Sequence, residues 1–187
     1  MKLNKSVVLA FILLIVVGSV CRAAGYAPQI AMAVFGAAVI KEKKWAFILV
    51  LVSMFFSDAL IQVLYYFGVM KYGGFYSGQT FYDSQILNYA LLASLTLFGF
   101  WARNLNFTRI AAATITAPVM YFLASNFLVW IGGAGLSRPK TFSGLVLCYE
   151  DALPFFRTTF FATIAFSIIL FGGYFLIRRF LLQKQLA

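Results

Sequence analysis

Asp58 carries the most chemistry in this sequence. It stands inside WAFILVLVSMFFSDALIQVLYYFGVM, residues 45–70, where nearly every neighbour is hydrocarbon. An ionised carboxylate facing lipid costs about 2.5 to 3.5 kcal/mol on insertion scales, so Asp58 is expected to face the bundle interior or a wet cavity and to find a partner there. Protonation is the other way to meet that cost. Thirteen residues separate Trp45 from Asp58, about 20 Å of helix, which sets the carboxylate past the midplane toward the outer side. Two cations stand at similar height: Arg22, near the outer end of the first apolar run, and Arg157, one turn into the last. Asn126 belongs to the same layer, about 25 Å of helix from Arg109. Gln29, Gln62, Asn88, Tyr149 and Glu150 could join from neighbouring elements.

Two arrangements satisfy that layer. Asp58 can pair with one arginine while Asn126 makes an interhelical hydrogen bond, in which case the polar groups specify packing and nothing else. Alternatively, Arg22, Asp58, Asn126, Tyr149 and Arg157 line a solute pocket open outward and closed inward, since ionisable groups inside a membrane are functional by default.

Other chemistries are poorly served. The chain has no histidine and two cysteines, so a zinc site or a histidine-based triad is not available, and no metal or cofactor is expected. Ser57 or Cys148 could serve as a nucleophile only with a base, and Ser57 and Asp58, as sequence neighbours, point about 100° apart on a helix. An enzyme is not expected. No G-x-x-x-x-G-K-[ST] is present to bind ATP. Cys21 and Cys148 both fall on the outer side, where a disulfide is possible and two free thiols are the alternative.

The elements that must hold these residues are transmembrane helices. Of 187 residues 63% are hydrophobic and 11% charged, and the mean hydropathy is +0.92, more apolar surface than a soluble domain can cover. The runs are continuous rather than alternating, which excludes a β-barrel. The expected fold is an all-α integral membrane protein, one domain over 1–187, with six helices at about 7–24, 28–40, 45–67, 85–101, 109–131 and 154–177. The second is short, so it is expected to start below the outer surface or to continue from an irregular segment around GYAPQ. MKLNKSVVLAFILLIVVGSVC resembles a secretory signal but lacks an A-x-A site, so the first helix is expected to remain.

Ten of the fifteen lysines and arginines fall on one side: Lys2 and Lys5, the cluster at 41–44, Arg103, Arg109, Arg178, Arg179 and Lys184. Arg22, Lys71, Arg138, Lys140 and Arg157 fall on the other. That bias puts both termini on the cytoplasmic side of a multi-pass membrane protein. The net charge of +10 is therefore a topology signal, with anionic headgroups of the lipid bilayer as the expected partner of KEKK and RRF and no nucleic acid. The outer connections after the third and fifth helices are long, and long ordered loops tend to carry function. The aromatics Tyr65, Tyr66, Phe67, Tyr72, Phe75, Tyr76, Phe81, Tyr82 and Tyr89 read first as an interfacial belt and second as a pocket lining, with the glycines of 73–78 able to let that loop gate. FSGLVLCYEDAL, 142–153, could form a short helix or a reentrant lid. Small pairs Ser6/Ala10, Ala27/Ala31 and Ala33/Ala37 let helices approach closely, within the chain or against a partner.

Four stretches together resemble a known group: RAAGYAPQIAMAVFGAA (22–38), WAFILVLVSMFFSDAL (45–60), SNFLVW (125–130) and TFSGLVLCYEDALPFFRTTF (141–160). Over nearly the whole chain they resemble an uncharacterised bacterial family of putative transport proteins, similar in turn to the substrate-binding S-components of energy-coupling factor vitamin transporters. The resemblance implies an S-component-like bundle that captures a small solute, vitamin-like or anionic, in an outward-facing pocket for uptake. It also implies docking on a transmembrane coupling subunit bearing ATPases. The chain departs from it where Ser6-x-x-x-Ala10 stands for an alanine pair and where Ala162-Thr163 stands for a Gly-Asp pair. A non-transporting membrane partner or assembly protein is the competing expectation.

Overall fold

The computed structural model describes residues 5–69, 84–132 and 138–186, and every regular element among them is a helix. In chain order these are α1 (Lys5–Ala23), α2 (Gln29–Val39), α3 (Lys43–Tyr66), α4 (Gln85–Ser94), α5 (Thr96–Trp101), α6 (Phe107–Gly132) and α7 (Phe142–Leu186). By length and composition α3, α6 and residues 142–180 of α7 are able to cross a membrane, as the composition leads one to expect of a membrane protein.

α2 is the hub. It is only eleven residues long, yet nine of them are buried, because Ala31, Ala33, Gly36, Ala37 and Ala38 have little side chain to hold neighbours away. α3, α5, α6 and α7 all pack on it, while α1 packs on α3 and α6 on α7. At the α2–α5 crossing a Cβ on Gly99 would lie 2.6 Å from the Ala37 Cβ and closer still to the Val34 carbonyl oxygen, so only glycine fits. The pairs Ala27/Ala31 and Ala33/Ala37 thus bind the chain to itself. Ala10 is exposed, and the Ser6 side chain lies outside the described residues.

The carbonyl end of α2 is closed by a side chain from the α5–α6 connection. Arg103 Nε donates to Ala37 O and Nη2 to Ile40 O, both at 2.9 Å, and its guanidinium lies 4.7 Å from the Phe100 ring. A cation at a helix C-terminus satisfies otherwise orphaned carbonyls and complements the helix dipole. Phe35 and Phe171, edge to face at 5.2 Å, fasten α2 to α7.

Two elements differ from the sequence expectation. The run at 85–101 is divided at Leu95, where backbone bonds tighten to three-residue spacing. Ser94 Oγ and Thr96 Oγ1 donate to the carbonyls of Leu91 and Ala93 at 2.6 and 2.7 Å, and such back-bonding bends a helix. The last helix begins at Phe142, twelve residues before Pro154, so that 142–153 is neither a separate helix nor a reentrant lid. Pro154 sits inside α7, where it omits one backbone bond. The aromatic loop 70–83, including Lys71 and the 73–78 glycines, and residues 133–137 lie outside the described residues.

Candidate functional site

Asp58 is 5% exposed, and three elements converge on it. α1 brings Arg22 in its last turn, where a cation also suits the helix dipole. Arg22 Nη1 pairs with Asp58 Oδ1 and donates to Ser57 Oγ at 2.7 Å, while Ser57 donates to the Met54 carbonyl at 2.8 Å. One guanidinium thereby bridges the two neighbours that point apart on α3. α4 brings Gln85 and Tyr89, one turn apart on the same face. Both donate to Asp58 Oδ2, Gln85 Nε2 at 2.8 Å and Tyr89 Oη at 2.6 Å, and Gln85 Nε2 also lies 3.1 Å from the Tyr89 oxygen. Both carboxylate oxygens are thus hydrogen-bonded by the protein itself, as burial of a charge requires.

Asn126, Tyr149 and Arg157 are elsewhere, on α6 and α7. Asn126 Nδ2 donates to the Phe122 carbonyl of its own helix at 2.8 Å, and Tyr149 Oη donates to Leu123 O at 2.8 Å, tying α7 to α6. Cys148 Sγ lies 3.6 Å from the Asn126 carbonyl; it and Cys21 are free thiols. Arg157 and Glu150 are exposed. The expected single layer is therefore two groups. They are linked across α4 and α6 by Tyr121 Oη donating to Asn88 Oδ1 at 2.6 Å. Gln29, which could have joined Asp58, turns its amide toward Gly18 O at 3.4 Å.

Beside the second group is a groove of about 230 Å³ lined by Tyr121, Ser125, Asn126, Phe155, Phe156 and Thr159, among others. A larger cleft of about 370 Å³, almost wholly apolar, opens further along the same α6–α7 seam between Ile110 and Phe171. No group of three or more potential metal ligands occurs among the described residues. At the end of α6 the connection to α7 is held by Arg138 on Asp151, Nε to Oδ2 3.1 Å, and by Trp130 Nε1 donating to Pro139 O at 3.0 Å.

Gln85 and Tyr89 escaped the sequence reading as Asp58 partners. Tyr89 was grouped with the aromatic belt and Gln85 marked only a helix start. Their four-residue spacing on one helix was the available signal, since it puts a carboxamide and a phenol on one face of an apolar segment. Exposed Tyr66 and Phe67 do fit the belt, at 83% and 73% exposure.

The sequence matches, over residues 1–185, a family described as a family of unknown function (DUF6580), and the chain belongs to that family. Comparison with curated proteins and with solved structures finds no match to either.

Proposed function

We propose that this member of the family is an S-component-like membrane transport protein that captures a small solute from outside for uptake. α1, α2, α3, the α4–α5 pair, α6 and α7 serve as six crossings of a bacterial inner membrane, with both termini cytoplasmic by the lysine and arginine bias. The observation that carries the reading is the groove at Asn126. It combines hydroxyls from Tyr121, Ser125 and Thr159 with an amide and the rings of Phe155 and Phe156, a mixture of apolar walls and a few polar groups suited to a ligand. Its volume of about 230 Å³ is below the ~300–1,000 Å³ of drug-sized sites, so the solute is small.

In this reading Arg157 and Tyr149 flank the groove and attract an anionic or planar solute. Arg22 and Asp58 lie outside the groove's lining and in this reading hold α1, α3 and α4 together beside it. Energy for release inward comes from a coupling subunit with ATPases, since the chain has no P-loop. No step requires a covalent intermediate, a metal or a cofactor.

Purified protein screened by thermal shift against vitamin-like and small anionic solutes should yield a ligand. Asn126→Ala should then weaken its binding about tenfold while leaving the unliganded melting temperature nearly unchanged. A screen without any stabilising solute, together with unchanged uptake in cells carrying Asn126→Ala, would remove the transport reading.

One observation favours a second reading. Asp58 is already satisfied inside the protein, which is what a membrane partner or assembly protein would need if its polar groups only fixed helix packing. Recovery of a stable complex with another membrane protein, unaffected by any solute, would support that alternative.

A further inference from the structure

The 370 Å³ cleft between α6 and α7 differs in kind from the groove at Asn126. Its α7 wall consists of Ile164, Ser167, Ile168, Phe171, Gly172 and Phe175, an alternation of three- and one-residue steps that marks one helix face. Arg178 and Arg179, seven residues beyond Phe171 and Gly172, fall on the same face two turns on, and both are exposed. An apolar slot therefore ends, one turn on, at a pair of cations. From Ile164 to Phe175 the slot runs about 16 Å along the helix, close to the ~15 Å of one leaflet of hydrocarbon. Its rim is open sideways: Phe107 is 85% exposed and Ile168 68%.

We propose that this cleft binds one acyl chain of an anionic phospholipid, whose phosphate headgroup rests on Arg178 and Arg179. The charge at the mouth decides against a zwitterionic lipid, and the leaflet-length apolar slot decides against a free anion. Arg109 lies over Trp101 at 5.6 Å and Arg103 closes the end of α2, whereas Arg178 and Arg179 are both exposed beyond the end of the slot, where they can meet a headgroup. The site is independent of solute capture and lies at the opposite end of the α6–α7 seam from Asn126.

Gly172 supplies the decisive variant, because a Cβ there meets no atom within 4 Å. Gly172→Leu should fold and fill the slot. In detergent, phosphatidylglycerol added to the full-length protein should raise the melting temperature and remain bound in native mass spectra, whereas phosphatidylcholine and inorganic phosphate should do neither. Gly172→Leu should abolish that response; Ile168→Phe, at the exposed rim, is the second plug should the leucine impair folding. Arg178→Gln with Arg179→Gln should cut the preference for phosphatidylglycerol over phosphatidylcholine about tenfold or more. Equal stabilisation by both lipids, stabilisation by phosphate alone, no lipid response, or a full response in the plugged variants would each overturn the proposal.

Discussion

The corner where α1, α3 and α4 meet and the seam between α6 and α7 both bury polar side chains, but they treat them in opposite ways. At the corner, four side chains from three helices close on one another until both Asp58 oxygens are hydrogen-bonded. Along the seam, Asn126 and Tyr149 use backbone carbonyls, and the buried hydroxyls of Thr114 and Ser167 have no partner among the described residues. Both cavities described above lie along the seam. A charge forces its surroundings to organise, because leaving it unmatched is prohibitive; neutral hydroxyls do not, so space can persist beside them.

If that contrast is right, the largest loss should come from opening the corner. Asp58→Ala removes the carboxylate on which Arg22, Gln85 and Tyr89 converge, and removing one member of a buried pair typically costs about 3 to 5 kcal/mol. Reversible unfolding in mixed micelles would measure it. The double replacement Arg22→Met with Asp58→Leu should recover most of the loss, since an apolar pair of similar size tolerates the same space. A double variant as unstable as the single one would mean that the corner depends on more than matched charge.

A smaller effect is expected one bond further out. Tyr89→Phe keeps the ring and deletes the donor to Asp58 Oδ2, leaving Gln85 to hold that oxygen alone. The expected loss is about 1 to 2 kcal/mol by the same unfolding measurement, below the general range for bonds to charged groups because hydrogen bonds within membranes measure weaker. Loss equal to that of Asp58→Ala would make Tyr89, rather than Arg22, the group that secures the carboxylate.

How far these two regions could be read from sequence follows from what sequence arithmetic contains. Rise per residue gives heights, which leave Asp58 with Arg22 or Arg157 as its cation; the structure pairs it with Arg22, thirty-six positions away. Asn126, expected at the same height, instead bonds the Phe122 carbonyl of its own helix, because rise per residue says nothing of which way a helix is turned. α6 faces α7 and α2, and its amide followed. The central role of α2 was hidden by its shortness, although its alanines and glycine were visible as close-packing residues. α7 starts at Phe142 rather than at 154, since the largely apolar 142–153 continues the helix on the N-terminal side of Pro154. Membrane class, by contrast, needed only composition.

The least change is expected at Ser167, and its smallness is the informative part. Its hydroxyl is buried in α7 at 3% exposure with no partner among the described residues, whereas Thr163, one turn earlier, donates to the Thr159 carbonyl at 2.8 Å. Ser167→Ala removes an unsatisfied group and hardly alters volume, so stability should stay within about 0.5 kcal/mol or rise, since replacing an unpaired buried polar atom relieves its desolvation. Thr163→Ala, which deletes a made bond at a fully buried site, should instead destabilise. If Ser167→Ala were the costlier of the two, the Ser167 hydroxyl would have a partner in the membrane, and a lipid lodged in the adjoining cleft would be the first place to look for it.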